Sequence, residues 1–232
     1  MSAPTPVVVA IDGPSGTGKS STSKGVAARL GMAYLDTGAQ YRAITWWMLR
    51  QGIDPADTAA VAAAAEKPEI VSGTDPLAPT ITVDGTDVSA PIRGAEVTGA
   101  VSAVSAVPEI RARITGLQRS IAEGAAASGP GIVVEGRDIG TTVLPDADLK
   151  IFLTAAPEVR AARRSGELGG PQDAARLAAT RADLVRRDTA DSSRTASPLA
   201  RAGDAVELDT GDLTLEQVVE RVVAMIEERR SA

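Results

Sequence analysis

Gly13-Pro14-Ser15-Gly16-Thr17-Gly18-Lys19-Ser20 sets two glycines, a lysine and a hydroxyl in the spacing G-x-x-x-x-G-K-[ST]. The chemistry this spacing can do is phosphate binding. Glycine tolerates backbone conformations that strain other residues, so successive N–H groups can turn inward toward anionic oxygens. Lys19 can reach the β- and γ-phosphates of a nucleoside triphosphate, and the Ser20 hydroxyl can hold Mg2+. Ser21 extends the cradle into the helix that follows. The match comes directly after five apolar residues, Val7 to Ile11, which read as a buried strand. Lys19 to Leu30 reads as a helix stopped by Gly31, with its N-terminal dipole facing the same anion.

Composition narrows what else the chain can do. It has 232 residues, no Cys and no His. Disulfides, thiolate chemistry, imidazole bases and His-ligated zinc are excluded, so any metal is a hard ion held by oxygens. The net charge is −6, which argues against broad nucleic-acid binding. Residues 137–201 nevertheless hold eleven Lys/Arg against nine Asp/Glu, and ten of the eleven are Arg. The planar guanidinium fork matches phosphate. No apolar run approaches the ~20 residues that span a bilayer, and no secretory leader is evident. A cytoplasmic protein acting on small molecules, without nucleic acid or membrane and as a monomer, is the expectation.

The elements that must position these groups alternate. Met32–Leu35 reads as a second strand, leading through Asp36-Thr37-Gly38 into a helix ending near Arg50. Trp46, Trp47 and Met48 on that helix read as packing residues. Residues 54–100 differ: an Ala-rich helix at Thr58–Glu66, a strand at Glu69–Val71, then Ile81–Val83 and Thr86–Val88 flanking the hairpin signal Asp84-Gly85. Pro108 suits the first turn of a helix running to about Ala127. Ile132–Val134 is a buried strand ending at Glu135, and Leu149–Thr154 is another. Pro157 starts a helix carrying Arg160, Arg163 and Arg164. Gly169-Gly170-Pro171 breaks the chain before a helix from Asp173 to about Arg187. Ala205–Leu208 is the last strand. Thr214 and Gln217 cap a helix with an apolar face at Leu215, Val218, Val219, Val222 and Ile226. Strands alternating with helices predict an α/β fold with a parallel sheet of about five strands. The P-loop, Asp36-Thr37 and Glu135–Asp138 then fall together beyond the strand carboxyl ends, where such sheets bind ligands.

Two reactions fit a P-loop. Glu135 could act as a Walker-B-like carboxylate in a hydrolase, whereas arginines spread over the other strand ends favour transfer to a second polyanion. Four motifs in order carry a resemblance. Ile11-Asp12-Gly13-Pro14-Ser15-Gly16 into Gly18-Lys19-Ser20 is the first, and Leu35-Asp36-Thr37-Gly38-Ala39 into Tyr41-Arg42 the second. Glu135-Gly136-Arg137-Asp138 into Gly140-Thr141, and Arg187-Asp188 into Asp191-Ser192-Ser193-Arg194 and Ser197-Pro198-Leu199, complete it. Together they resemble bacterial cytidylate kinase.

The resemblance implies ATP as phosphoryl donor with Mg2+, and CMP or dCMP as acceptor. It implies a P-loop kinase core at 1–53 and 101–232, a helical lid at about 157–190, and an inserted nucleotide-monophosphate domain at about 54–100. By the same resemblance Arg42, Arg137 and Arg194 hold the acceptor phosphate, with Thr37 beside them. Tyr41 lies against the nucleoside, Asp191 accepts from the ribose with Arg187 nearby, and Ser102, Arg111 and Asp138 read the cytosine. Ser105 competes with Ser102. Lys19, Arg137 and Arg194 serve transfer, with Arg163 and Arg164 closing from the lid. A broader pyrimidine monophosphate kinase and a slow ATP-hydrolysing binding module stand as the alternatives.

Overall fold

The computed structural model describes residues 5–167 and 173–231. The expected break at Gly169-Gly170-Pro171 lies outside the described residues. The core sheet is formed by β1 (Val7–Asp12), β2 (Ala33–Asp36), β6 (Gly131–Glu135), β7 (Leu149–Thr154) and β8 (Val206–Asp209). Its order is β2-β6-β1-β7-β8, with every neighbouring pair parallel. This is the five-stranded parallel sheet the alternation predicts.

Strand pleating divides the apolar residues between two faces. Val7, Val9 and Ile11 pack with α1 (Lys19–Leu30) and α8 (Leu215–Ser231), through Val26, Val219 and Val222. Ala10, with Ile132 and Val134, faces the other layer, where Ala122 of α5 (Pro108–Ser128) covers it. Register then decides the site. Ile11 pairs with both Glu135 and Ile151, and Asp36 pairs with Glu135, so the three motif-bearing strand ends finish side by side. Gly13 leaves β1 at φ 146°, and a Cβ there would lie 2.3 Å from the Leu153 carbonyl oxygen. Only glycine fits so close to β7.

A second apolar cluster lies beside the sheet. Antiparallel β3 (Ile70–Ser72), β4 (Ile81–Val83) and β5 (Thr86–Asp87) follow the short helix α3 (Thr58–Ala63). Asp84 and Gly85 both have positive φ, 49° and 75°, as a two-residue hairpin turn requires. Their strands pack with Ile44 and Met48 of α2 (Thr37–Arg50), Val101 of α4 (Ala95–Val104) and Ile110 of α5. Trp46 and Trp47 pack against this cluster, as expected. Trp47 also donates to Asp84 Oδ2 at 3.0 Å.

Several expectations need correction: β3, β5 and β8 each differ by one residue from the expected Glu69–Val71, Thr86–Val88 and Ala205–Leu208. The Ala-rich helix stops at Ala63, with Asp57 capping its start and Ala64 as its C-terminal cap residue. The second strand begins at Ala33 and takes in Asp36, which also caps α2 by accepting from Ala39 N–H. Helix α7 (Ala174–Ser192), following α6 (Pro157–Glu167), runs past Arg187, so Arg187, Asp188 and Asp191 lie on its last turns. Leu215 is 50 % exposed. It lies at the helix start, and the apolar face closes on the sheet only from Val218 onward. The Thr214–Gln217 cap forms in both directions, at 2.9 and 3.2 Å.

Candidate active site

Lys19 lies buried under its own loop, donating from Nζ to the Pro14 carbonyl at 2.7 Å. Burial, with the Arg137 cation nearby, pushes its pKa down to about 7. Thr17 Oγ1 donates to the same carbonyl at 3.1 Å. The Ser20 hydroxyl donates to Glu135 Oε2 at 3.0 Å, and the buried Tyr34 hydroxyl donates to Glu135 Oε1. Burial and the neighbouring Asp36 raise Glu135 to about 7. Asp12 accepts from the N–H groups of Ile139 and Gly140 at 2.9 and 2.7 Å. It thereby pins the wide helical turn at 139–143 that follows Arg137 and Asp138, in which Val143 N–H bonds back to the Asp138 carbonyl. Burial raises Asp12 to about 6 in spite of those two bonds.

One cleft gathers the remaining candidates. Ser15, Gly16, Gly18, Lys19, Ser20 and Ser21 of the loop line one part of it, and Thr37, Tyr41, Arg42, Ser102, Arg111, Arg137, Asp138, Arg164, Arg187, Asp191 and Arg194 line the rest. Gly13, Pro14 and Thr17, expected in the same cradle, do not line the cleft. Arg163 is not brought there. Its guanidinium donates to Thr210 Oγ1 at 2.9 Å and to the Thr210 carbonyl at 2.6 Å. Neighbouring residues on a helix point about 100° apart, so only Arg164 of the pair lines the cleft.

The cations are crowded and unevenly matched. Arg137 donates to Asp191 Oδ2 at 2.9 Å, Ser15 Oγ at 2.6 Å and the Gly13 carbonyl at 3.1 Å. Buried Arg42 donates to the Ile92 carbonyl and Thr98 Oγ1, at 3.0 and 2.9 Å. Its pKa falls to about 10 through burial and the nearby Arg187, Arg93 and Arg164 cations. Burial also lowers Arg187 and Arg194. Arg187 Nε and Arg194 Nη2 are buried with no hydrogen-bond partner among the described residues. Such groups are costly unless an anion arrives. Asp138 is ion-paired with Arg111, both side chains 6 % exposed, and the Arg111 guanidinium lies 5.3 Å from the Tyr41 ring centre. Arg137 and Asp138 thus pair elsewhere, not with each other. Thr37 Oγ1 donates to the Glu135 carbonyl at 2.7 Å, so its proton is committed to the sheet. Ser105 Oγ donates to the Ser102 carbonyl at 3.2 Å, and Ser105 also lines the cleft.

With no His or Cys in the chain, Ser20 and its partner Glu135 offer a metal only oxygen, which suits a hard cation. Among the described residues no group of three or more acidic side chains could hold a metal by itself. Ser20 and Glu135 therefore fit an ion that takes most of its ligands from phosphate and water, as Mg2+ does.

The family model for cytidylate kinase matches residues 9–228. This chain belongs to the cytidylate kinase family. It is 72 % identical over 226 residues to the cytidylate kinase of Streptomyces avermitilis, covering 97 % of this chain and 95 % of that one. Against the cytidylate kinase of Nocardia farcinica it is 55 % identical over 227 residues, covering 97 % and 96 %. Among solved structures, an uncharacterized protein from Eubacterium ventriosum shares the fold at 12 % identity and a TM-score of 0.51, covering 96 % of this chain and 98 % of that one.

In this cytidylate kinase family member, sequence reasoning gave no role to several residues of the cleft and its rim. Arg93 lines the cleft and donates to Asp36 Oδ2 at 2.7 Å. It fell within residues 54–100, expected as the inserted nucleotide-monophosphate domain but with no residue in it singled out. Tyr34, within a run read as strand packing, turns its hydroxyl to Glu135. Asp12, also given no role, carried a signal as the one charge in the otherwise apolar β1.

A proton-linkage prediction follows from Lys19. Free Lys19 is largely neutral at pH 8, above its depressed pKa, and phosphate oxygens bound beside it raise that pKa. ATP binding at pH 8 should therefore take up protons. Calorimetric binding enthalpies should differ between buffers of low and high ionisation enthalpy, and identical enthalpies would contradict it.

Proposed function

We propose that the cleft transfers the γ-phosphoryl group of ATP to CMP or dCMP, giving ADP and CDP or dCDP. The observation that carries this reading is the convergence of Arg42, Arg137, Arg187 and Arg194 on the cleft that Lys19 borders. A loop and helix N-terminus suffice for one triphosphate, whereas this many cations suit two polyanions held together.

Gly16, Gly18, Ser21 and Lys19 cradle the ATP phosphates, and Ser20 with those phosphates would hold Mg2+, which would supply positive charge to offset that of the triphosphate. Arg42, Arg137 and Arg194 hold the acceptor phosphate with Thr37 beside it. Asp191 accepts from the ribose next to Arg187, and Tyr41 lies against the nucleoside. Asp138, braced by Arg111, accepts from the exocyclic amine of cytosine beside Ser102. An acceptor phosphate oxygen is already anionic near neutral pH, so no general base is required. It attacks the γ-phosphorus in line, ADP leaves, and Lys19 and the arginines stabilise the charge spread over the migrating group. Residues 54–100 act as the acceptor-binding subdomain. The segment 157–190 acts as the lid, with Arg164 reaching the transferred group and Arg163 anchoring α6 to Thr210. Among the described residues no helix is long and apolar enough to cross a membrane. The protein acts on small nucleotides in the cytoplasm, as a monomer.

Initial ADP-release rates with CMP, dCMP, UMP, AMP and GMP test this reading. CMP and dCMP should turn over. UMP should be slower in kcat/KM by about 10²-fold or more, because its carbonyl would face the Asp138 carboxylate. Equal rates with UMP would favour a broader pyrimidine kinase. ADP release indifferent to every acceptor would favour the hydrolase.

A further inference from the structure

Ser15 is where the P-loop meets α6 and α7, and its backbone is gripped on both polar groups. Its N–H donates to Asp188 Oδ1 at 3.1 Å, and its carbonyl accepts from Arg160 Nη1 at 3.1 Å. The same Arg160 nitrogen is ion-paired with Asp188 Oδ2, and Arg160 Nε donates to the Ala155 carbonyl at 3.1 Å. Both side chains are largely withdrawn from solvent, 8 % and 16 % exposed. The loop lies directly on α6: at Gly16, φ 82°, a Cβ would sit 2.9 Å from the Arg160 carbonyl oxygen. The next N–H groups differ. Those of Gly16, Gly18 and Lys19 have no acceptor among the described residues.

We infer that Asp188, together with Arg160, is a positioning residue for the donor nucleotide. The pair fixes the peptide planes on either side of Ser15, and those rigid planes aim the downstream N–H groups at the phosphates. This rests on the ATP reading of the loop and extends it to two side chains with no place in the nucleotide contacts above. A second route reaches the same residue. Asp191, one turn beyond Asp188, holds Arg137, whose Nη2 donates to Ser15 Oγ at 2.6 Å. One face of α7 therefore sets Ser15 directly and through an arginine of the acceptor site.

Steady-state kinetics of Arg160→Met, Asp188→Ala and the isosteric Asp188→Asn test the inference, with wild-type turnover of ATP and CMP measured first. Absence of wild-type turnover would refute the kinase reading itself. KM for ATP should rise about tenfold in Arg160→Met and Asp188→Ala while KM for CMP stays within about twofold. Asp188→Asn keeps a carbonyl for the Ser15 N–H and should recover most of the loss. An unchanged KM for ATP, or a parallel rise in both KM values as general loosening would give, overturns the inference. Amide hydrogen exchange of the wild-type protein gives a reading that needs no variant. The Ser15 amide should exchange at least about tenfold more slowly than that of Gly18, and equal rates overturn the inference.

Discussion

Lys19→Ala should lower kcat by about 10³-fold and leave the fold intact. Lys19 is the only cation within the P-loop. Among the described residues its ammonium makes one hydrogen bond, to the Pro14 carbonyl at 2.7 Å, and that bond can be exchanged for phosphate when ATP arrives. The substitution removes a bond worth about 1 kcal/mol but also a buried charge that burial already disfavours. The two effects oppose, so the melting temperature should move by only a few degrees. Kinetics beside thermal unfolding checks this. Near-normal turnover in a folded variant would remove Lys19 from the reaction, and loss of the folded state would make its role structural.

Arg194→Ala should lower kcat/KM for CMP by about 10²-fold or more, with KM for ATP nearly unchanged. The native contacts of Arg194 explain the asymmetry. It donates to the Asp191 carbonyl at 3.3 Å and to Ser105 Oγ at 3.5 Å, and its ion pair with Asp191 is 3.8 Å long. All three are long, and Nη2 has no partner among the described residues. A guanidinium so poorly satisfied contributes little to folding and keeps its bonding capacity for an anion. Thermal stability should therefore stay within a few degrees of wild type. An unchanged rate with CMP would refute the phosphate role. A collapse in stability would show that the long contacts matter more than their geometry allows.

Much of this is legible in the sequence because the signals are local. A strand followed by a glycine-bent loop places Lys19 and Ser20 from neighbouring residues alone, and parallel alternation brings Asp36 and Glu135 to the end of the sheet that β1 feeds. Asp84-Gly85 turned as its dipeptide demands. What escaped depended on partners far away in the chain. Arg163 and Arg164 read alike in sequence, and only the packing of α6 against Thr210 separates them. Arg93 and Asp188 acquire meaning through Asp36 and Ser15, 57 and 173 residues away. Leu215 fitted a helical stripe but sits before the helix meets the sheet, so periodicity overstated its burial.

A crystal structure with CMP and a non-hydrolysable ATP analogue bound together tests the central claim most directly. The CMP phosphate should lie within hydrogen-bond distance of Arg42, Arg137 and Arg194, facing a γ-phosphate held by Lys19. A CMP phosphate bound elsewhere, with those three arginines still in the contacts described above, would contradict the account.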